Sequence, residues 1–295
     1  MTRSMTTTAN TPVTVVTLSN AGRLAHVARQ AACLPRDVRH LVVALGDAEA
    51  LAAALPDSEV IPLGEFSLAG ARNLGGDLAA KNADGIIVFL DADCLPGENL
   101  IGYYRLALDA HPEAVVAGPV TYLPDGDRRT TRPDPHPARP NPPAGTLLRA
   151  DDRGYELFWS LSFALTADTW RRIRRGFGGF DKGYTGYGAE DTDFGQHLRA
   201  RRIPLFWVGG ADAYHQWHPV SDPPWEHFHD ILRNAERFHE IWGFWPMTGW
   251  LEKFADEGAV EFRDGRWVAV NSRQARVQTR SGAARRAPLH LRPVM

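Results

Sequence analysis

Residues 85–93 read GIIVFLDAD. The apolar stretch from Ile86 to Leu90 is continuous rather than alternating. Bounded by Gly85 on one side and by aspartates on the other, it predicts a strand buried on both faces, as in a parallel sheet covered by helices. Ligands of such sheets sit beyond the carboxyl ends of the strands, where Asp91, Ala92 and Asp93 fall. Two carboxylates at i and i+2 on an irregular turn can point into one site, and hard oxygen ligands suit Mg²⁺ or Mn²⁺. The same spacing also suits a pair of turn aspartates capping a helix.

The pattern extends to either side. Residues 13–18 (VTVVTL), 40–45 (HLVVAL) and 60–63 predict three more strands, with helices over 23–34, 47–55 and 68–82 between them. Strands alternating with helices define an α/β fold with a mainly parallel sheet flanked by helices. Ser19 and Asp47 join Asp91 and Asp93 at the carboxyl ends of strands. Residues 124–143 (PDGDRRTTRPDPHPARPNPP) predict a mobile surface loop, either a lid over substrate or a plain insertion. Further on, the sequence predicts strands over 158–165 and 205–208, and helices over 166–174, 191–200 and 225–241. The Arg-rich residues 271–295 read as a disordered tail.

Composition narrows the function classes. The chain has 295 residues, 44% hydrophobic and 23% charged, with 33 basic against 35 acidic side chains. That is the make-up of a globular protein with a sizeable core. The net charge of −2 supplies no basic field for nucleic acid, which is not expected as a partner. Cys33 and Cys94 make neither a disulfide scaffold nor a CxxC motif. With a polar start and no apolar run near the ~20 residues of a spanning helix, the expectation is a cytoplasmic protein without a transmembrane segment, at most peripheral at the inner face of a membrane.

Two more clusters carry chemistry. Residues 177–194 (FGGFDKGYTGYGAEDTDF) combine glycines with Glu190, Asp191 and Asp193 at the start of a helix, where the helix dipole favours acidic side chains. Tyr184 and Tyr187 beside those glycines read either as a platform for a sugar face or as core. Residues 213–218 (AYHQWH) follow a strand and hold His215 and His218 three apart. Neutral imidazoles are common metal ligands, and a structural role is the alternative. Trp159, Trp217, Trp225 and Trp242 read chiefly as packing anchors. His227 and His229, two apart on one helix, do not face one ligand and read as surface or packing residues.

Together these stretches resemble the GT-A fold glycosyltransferases of family 2, with a C-terminal half similar to beta-1,4-galactosyltransferases and bacterial chondroitin-polymerase-type enzymes. The resemblance lies in VTVVTLSNAGRLAHVARQ, GARNLGGDLA (70–79), IIVFLDADCLP, GGFDKGYTGYGAEDTDFGQHL (178–198) and DAYHQ (212–216). It implies a GT-A (Rossmann-like) fold and a metal-dependent inverting transfer from a nucleotide sugar, a UDP-sugar by preference, to a saccharide, glycolipid or small-molecule hydroxyl. Residue by residue, it makes Asp93 the main metal ligand with His215, and Asp91 a ligand through water or a partner of the ribose. Ser19, Asp47, Arg72, Asp91, Ala92 and Asp93 line the nucleotide sugar. Asp47 falls nearest the uracil, although VALGD lacks the usual acidic pair. Asp191 is the implied base and Glu190 orients the acceptor. Tyr187, where galactosyltransferases usually have Trp, and Gly188 complete the acceptor side, over which residues 234–246 pack.

The implied organisation is a flexible 1–10, a nucleotide-sugar part over 11–120, the loop region 121–150, an acceptor and metal-His part over 151–270, and the tail. Two other classes compete: a nucleotide-sugar-binding protein of this fold without turnover, and a nucleotidyltransferase. For the latter, SNAGR is a poor match to the Gly-rich basic segment expected near the first strand.

Overall fold

β1 (Val13–Ser19) is buried along its whole length, as its near-continuous apolar sequence requires when both faces of a sheet are covered. In this computed structural model, which describes residues 11–126 and 134–270, β1 pairs in parallel with β2 (Arg39–Ala44) and β4 (Ile86–Leu90), placing Val15 opposite both His40 and Val88. β3 (Glu59–Pro62) continues the parallel set outside β2. On the other side of β4, β9 (Ser162–Thr166) runs antiparallel. Next come β6 (Val115–Ala117) and β10 (Leu205–Val208), parallel to each other, and then β8 (Leu147–Arg149), antiparallel at the edge. The order is β3-β2-β1-β4-β9-β6-β10-β8. All strands but β9 and β8 share one direction, so the mainly parallel sheet read from the sequence is the one observed.

Side chains alternate between two cores. Val16, Leu18, Ile87 and Phe89 face one layer with Trp170 and Phe194, while Val13, Val15, Ile86 and Val88 face the other with Leu100, Tyr104 and Leu108. The first layer is built by α3 (Leu68–Ala79), α5 (Ala167–Phe177) and α6 (Glu190–Ala200), the second by α4 (Leu100–Ala110). In α3 two adjacent glycines permit close packing. A Cβ on Gly75 would lie 2.3 Å from Val16 and one on Gly76 2.4 Å from the Trp170 ring. α1 (Leu24–Ala31) and α2 (Ala48–Ala54) cover Val42 and Ala44.

A small second sheet stands at the carboxyl edge of the large one. It contains β5 (Cys94–Pro96), β11 (Ala213–His215) and β7 (Val120–Tyr122), with β11 in the middle. The C-terminal part folds as α7 (Phe228–Trp242), α8 (Thr248–Asp256) and the hairpin of β12 (Val260–Arg263) and β13 (Arg266–Ala269) around Phe228, Ile231, Leu251 and Phe254.

Several expectations are corrected in detail. The strand expected over 158–165 begins only at Ser162, because residues 154–157 form a 3₁₀ turn and the Ser160 amide turns toward Asp191. The helix expected over 225–241 opens as a 3₁₀ turn over Trp225–His227 before α7. Within 121–150, β7 takes the first residues and β8 takes 147–149. The part of 124–143 that is described has no helix or strand, yet it is anchored: the His136 amide donates to Val120 O at 3.0 Å and Arg139 is only 5% exposed. The expectations for 1–10 and 271–295, and for 127–133 of the loop, lie outside the described residues.

Candidate active site

The strand ends bring the acidic, basic and imidazole groups to one edge. Asp93 follows β4. The antiparallel pairing of β5 and β11 sets His215 opposite Cys94, and the Gln216 amide donates to Asp93 O at 2.7 Å. His215 is thereby fixed beside the Asp93 carboxylate, with Nε2 3.5 Å from Oδ1, and His218 Nε2 lies 3.4 Å from Oδ2. One ligand atom from each of Asp93, His215 and His218 lies within 4.8 Å of the others. One carboxylate and two imidazoles could hold a divalent cation of the first transition row. Burial alone would raise the Asp93 carboxyl. The His218 hydrogen bond and the charges of His215 and Arg23 outweigh it and hold the group at about 2, in its ligating form.

The resemblance singled out His215; the structure brings His218 equally close to Asp93. Asp91 does not join this cluster. Its Oδ1 lies 3.5 Å from Arg72 Nη2, and its carbonyl accepts from Gln30 Nε2 at 2.6 Å. Burial pushes the Asp91 carboxyl up to about 7 against the pull of Arg72, and the charges of Asp93, Glu190 and Asp191 add to the rise. Asp91 thus stands in the field of all three carboxylates.

Arg72 ties this strand end to α6. Its Nη1 donates to Glu190 Oε1 at 2.8 Å, and its guanidinium lies 5.2 Å from the centre of the Phe180 ring. The backbone turns sharply just before α6. Ala189, 1% exposed, takes φ 71°, which costs a non-glycine residue free energy and persists only where packing holds it. Helix α6 then starts at Glu190, as expected from its acidic residues. Asp191 Oδ1 accepts from its neighbour Thr192 N at 2.8 Å and Oδ2 accepts from Ser160 N at 3.4 Å. Burial raises the Asp191 carboxyl, with the Glu190 charge next in effect, to about 6. Asp193 is a structural member of the helix: it is fully buried and accepts from Tyr184 Oη and Trp242 Nε1.

The two tyrosines separate. Tyr184 is core at 4% exposure, whereas Tyr187 is 37% exposed. His227, expected as a surface or packing residue, stacks on the Tyr187 ring at 4.3 Å and 19°, with Trp250 at 5.9 Å. Gly188, at φ 97°, lies where a Cβ would come within 2.9 Å of Met247 Sδ. On the Asp93–His215 side, Tyr122 lies over His215 at 4.6 Å, and His136 and Trp159 continue that wall. Of the tryptophans, Trp225 packs on Phe254 and Trp217 is 42% exposed.

Ser19 ends β1 and is buried, its hydroxyl 3.3 Å from Asn20 O. Asp47 stands before α2 at φ 49°, with no side-chain capping bond. Ala92, between the two aspartates, is buried against α1 and α2. Arg23, Tyr122 and Arg139 were not anticipated. Arg23 was within reach of sequence reasoning, because it falls just past the carboxyl end of a strand. Tyr122 and Arg139, whose guanidinium lies 5.7 Å from the centre of the Trp159 ring, were not, because the first borders and the second lies within the Pro-rich segment, whose path no periodicity reveals.

No protein-family model matches the chain. Its fold is similar to the crystal structure of GalNAc-T7 with UDP, GalNAc and Mn²⁺, at a TM-score of 0.50 and 13% identity over 85% of this chain and 58% of that one. At that identity the likeness concerns architecture: the chain has the GT-A glycosyltransferase fold. In sequence it is similar to two proteins called validoxylamine A glucosyltransferase, from Streptomyces hygroscopicus subsp. jinggangensis (strain 5008) and subsp. limoneus, each 30% identical over 169 residues. Those matches take in 48% of this chain and 37% and 34% of the two relatives, so the chain spans about a third of their length. Among the described residues no helix is long and apolar enough to cross a membrane.

Proposed function

We propose that the protein is a metal-dependent inverting glycosyltransferase. It moves a sugar from a nucleotide-sugar donor, a UDP-sugar by preference, to a hydroxyl of a saccharide, glycolipid or small polyhydroxylated acceptor, in the cytoplasm or at the inner face of the membrane. The observation that carries the reading is one edge of the sheet with two separate groups of polar side chains. The Asp93–His215–His218 cluster serves the leaving group, the Glu190–Asp191 pair serves the acceptor, and Arg72 joins the second to Asp91. The GT-A fold and the glucosyltransferase relatives support it.

Asp91 and Arg72 face the ribose and phosphates of the donor, and Ser19 and Asp47 line the nucleoside side. A divalent ion, Mn²⁺ by preference, held by Asp93, His215 and His218 would neutralise charge on the departing diphosphate. Tyr187, backed by His227, offers the acceptor ring an apolar face. Glu190 holds the acceptor through its second oxygen. Asp191 accepts the proton of the attacking hydroxyl, whose oxygen bonds to the anomeric carbon. The bond from that carbon to the diphosphate oxygen breaks, and its electron pair leaves with UDP. Attack opposite the leaving group inverts the anomeric centre.

The test uses UDP-glucose and Mn²⁺ with monosaccharides, disaccharides and validoxylamine A as acceptors. Product is followed by mass, and its anomeric configuration by proton NMR. One glycosylated product of inverted configuration, with one UDP per transfer, is expected. A retained configuration, or release of pyrophosphate, would contradict the reading.

A further inference from the structure

Arg23 ends the 3₁₀ turn Ala21–Arg23 directly after β1. Its Nη2 lies 3.2 Å from His218 Nε2 and 3.4 Å from His218 Nδ1, and its Nε lies 3.8 Å from Asp93 Oδ2. Asp93 and His218, whose Oδ2 and Nε2 lie 3.4 Å apart, are also two of the three side chains that the metal reading uses as ligands. An ion bound at about 2.1 Å from each would sit against the guanidinium, and two cations at that range repel strongly. Arg23 and the metal therefore compete for the same two side chains.

We propose that Arg23 is a placeholder cation. It balances the charge of Asp93 and packs against the His218 ring before the metal arrives, is displaced when the ion binds, and then pairs with the diphosphate of the incoming nucleotide. This rests on the metal-dependent reading above and adds a coupling to it.

Three features fit an exchangeable partner. The contact to Asp93 is long and single, unlike the bidentate geometry of a strong guanidinium–carboxylate pair. The Arg23 side chain is 35% exposed, while Asp93 and His218 are 14% and 13% exposed, so the cation is the member with room to swing. The neighbouring Arg29 is already engaged, its Nε donating to Gln216 Oε1 at 2.7 Å. Once released, Arg23 remains at the carboxyl edge of β1, beside the cluster, with a planar set of donors suited to phosphate oxygens.

By linkage, a cation that opposes the metal in the free protein and favours the diphosphate in the loaded one makes the two ligands bind cooperatively, and the effect is reciprocal. The full chain is titrated with Mn²⁺ alone, free Mn²⁺ being read by electron paramagnetic resonance. It is then titrated with UDP at saturating Mn²⁺ by calorimetry. Wild type, Arg23→Gln and Arg23→Lys are compared. Arg23→Gln should bind Mn²⁺ alone roughly fivefold or more tightly than wild type, and UDP roughly fivefold or more weakly, within the usual range of coupling between sites. Arg23→Lys, which keeps the charge, should move less on both measures. Mn²⁺ affinity unchanged or reduced in Arg23→Gln, or UDP affinity unchanged, would overturn the placeholder while leaving the metal site standing. No Mn²⁺ uptake by any of the three proteins would overturn the metal site and the role of Arg23 with it.

Discussion

Arg72 Nη1 lies 2.8 Å from Glu190 Oε1, with both side chains under a tenth exposed, and the same guanidinium reaches Asp91 Oδ1 at 3.5 Å. One cation therefore holds the end of β4 against the start of α6. Burial alone would weaken its charge, but the fields of Asp91, Glu190 and Asp191 raise its affinity for the proton instead.

Removing one partner of a buried pair leaves the other charge uncompensated, at a cost of about 3–5 kcal/mol. Arg72→Met should lose stability of that order in urea unfolding. Arg72→Met combined with Glu190→Gln should recover part of it. A loss below about 1 kcal/mol, the range of exposed pairs, would mean that Arg72 does not bind the two elements together.

Asp191→Asn keeps the shape of the side chain and removes the proposed base. General-base catalysis contributes typically ~10²–10⁴-fold, so steady-state turnover should fall by that order while UDP affinity stays near wild type. A fall of only a few-fold would remove Asp191 from the role of base.

The acid limb of the rate follows from the same residue. Burial and Glu190 raise the Asp191 carboxyl to about 6, and only the ionised form accepts a proton. The logarithm of kcat/KM should therefore drop with falling pH below about 6, well above the ordinary carboxylate range near ~4. Replacing Asp191 should remove the step near 6 from the profile and leave the titration of Asp91 near 7. A rate flat down to pH 4.5 would contradict the assignment.

Much of this was legible in the sequence, for identifiable reasons. The strands at 13–18, 40–45 and 86–90 announce themselves because a doubly covered sheet demands near-continuous apolar runs. Glu190 opens a helix because acidic side chains favour helix starts. The three-residue strands β5, β7 and β11 were not legible, since three residues carry no periodicity. Their pairing is nevertheless what sets His215 opposite Cys94 and beside Asp93. The helix α4 was legible and was missed: Leu100, Ile101, Tyr104, Ala107 and Leu108 are buried at helical spacing. The Arg72–Glu190 pair spans 118 positions, and no local rule connects residues that far apart.

His40 makes a prediction about stability. It lies in β2, 5% exposed, between Ser58 Oγ at 2.8 Å and Thr17 Oγ1 at 3.2 Å, and burial lowers it to about 4. The unfolded chain binds that proton near ~6.5. Between these values the unfolded state holds more protons, so this contribution is full above pH 6.5 and is lost as pH falls toward 4. The whole loss is about 3 kcal/mol. Urea midpoints of wild type and His40→Gln from pH 7 to pH 4.5 should show a shallower decline in the variant. Parallel declines would show that His40 does not carry the effect.

The most direct test of the central claim is nucleotide release from a panel of UDP-, GDP- and dTDP-sugars, with Mn²⁺ and with chelator, by wild type and Asp93→Ala. The account predicts slow release of UDP from a UDP-sugar that requires Mn²⁺ and is lost in Asp93→Ala. Release that is equal in chelator, or undiminished in Asp93→Ala, would contradict it.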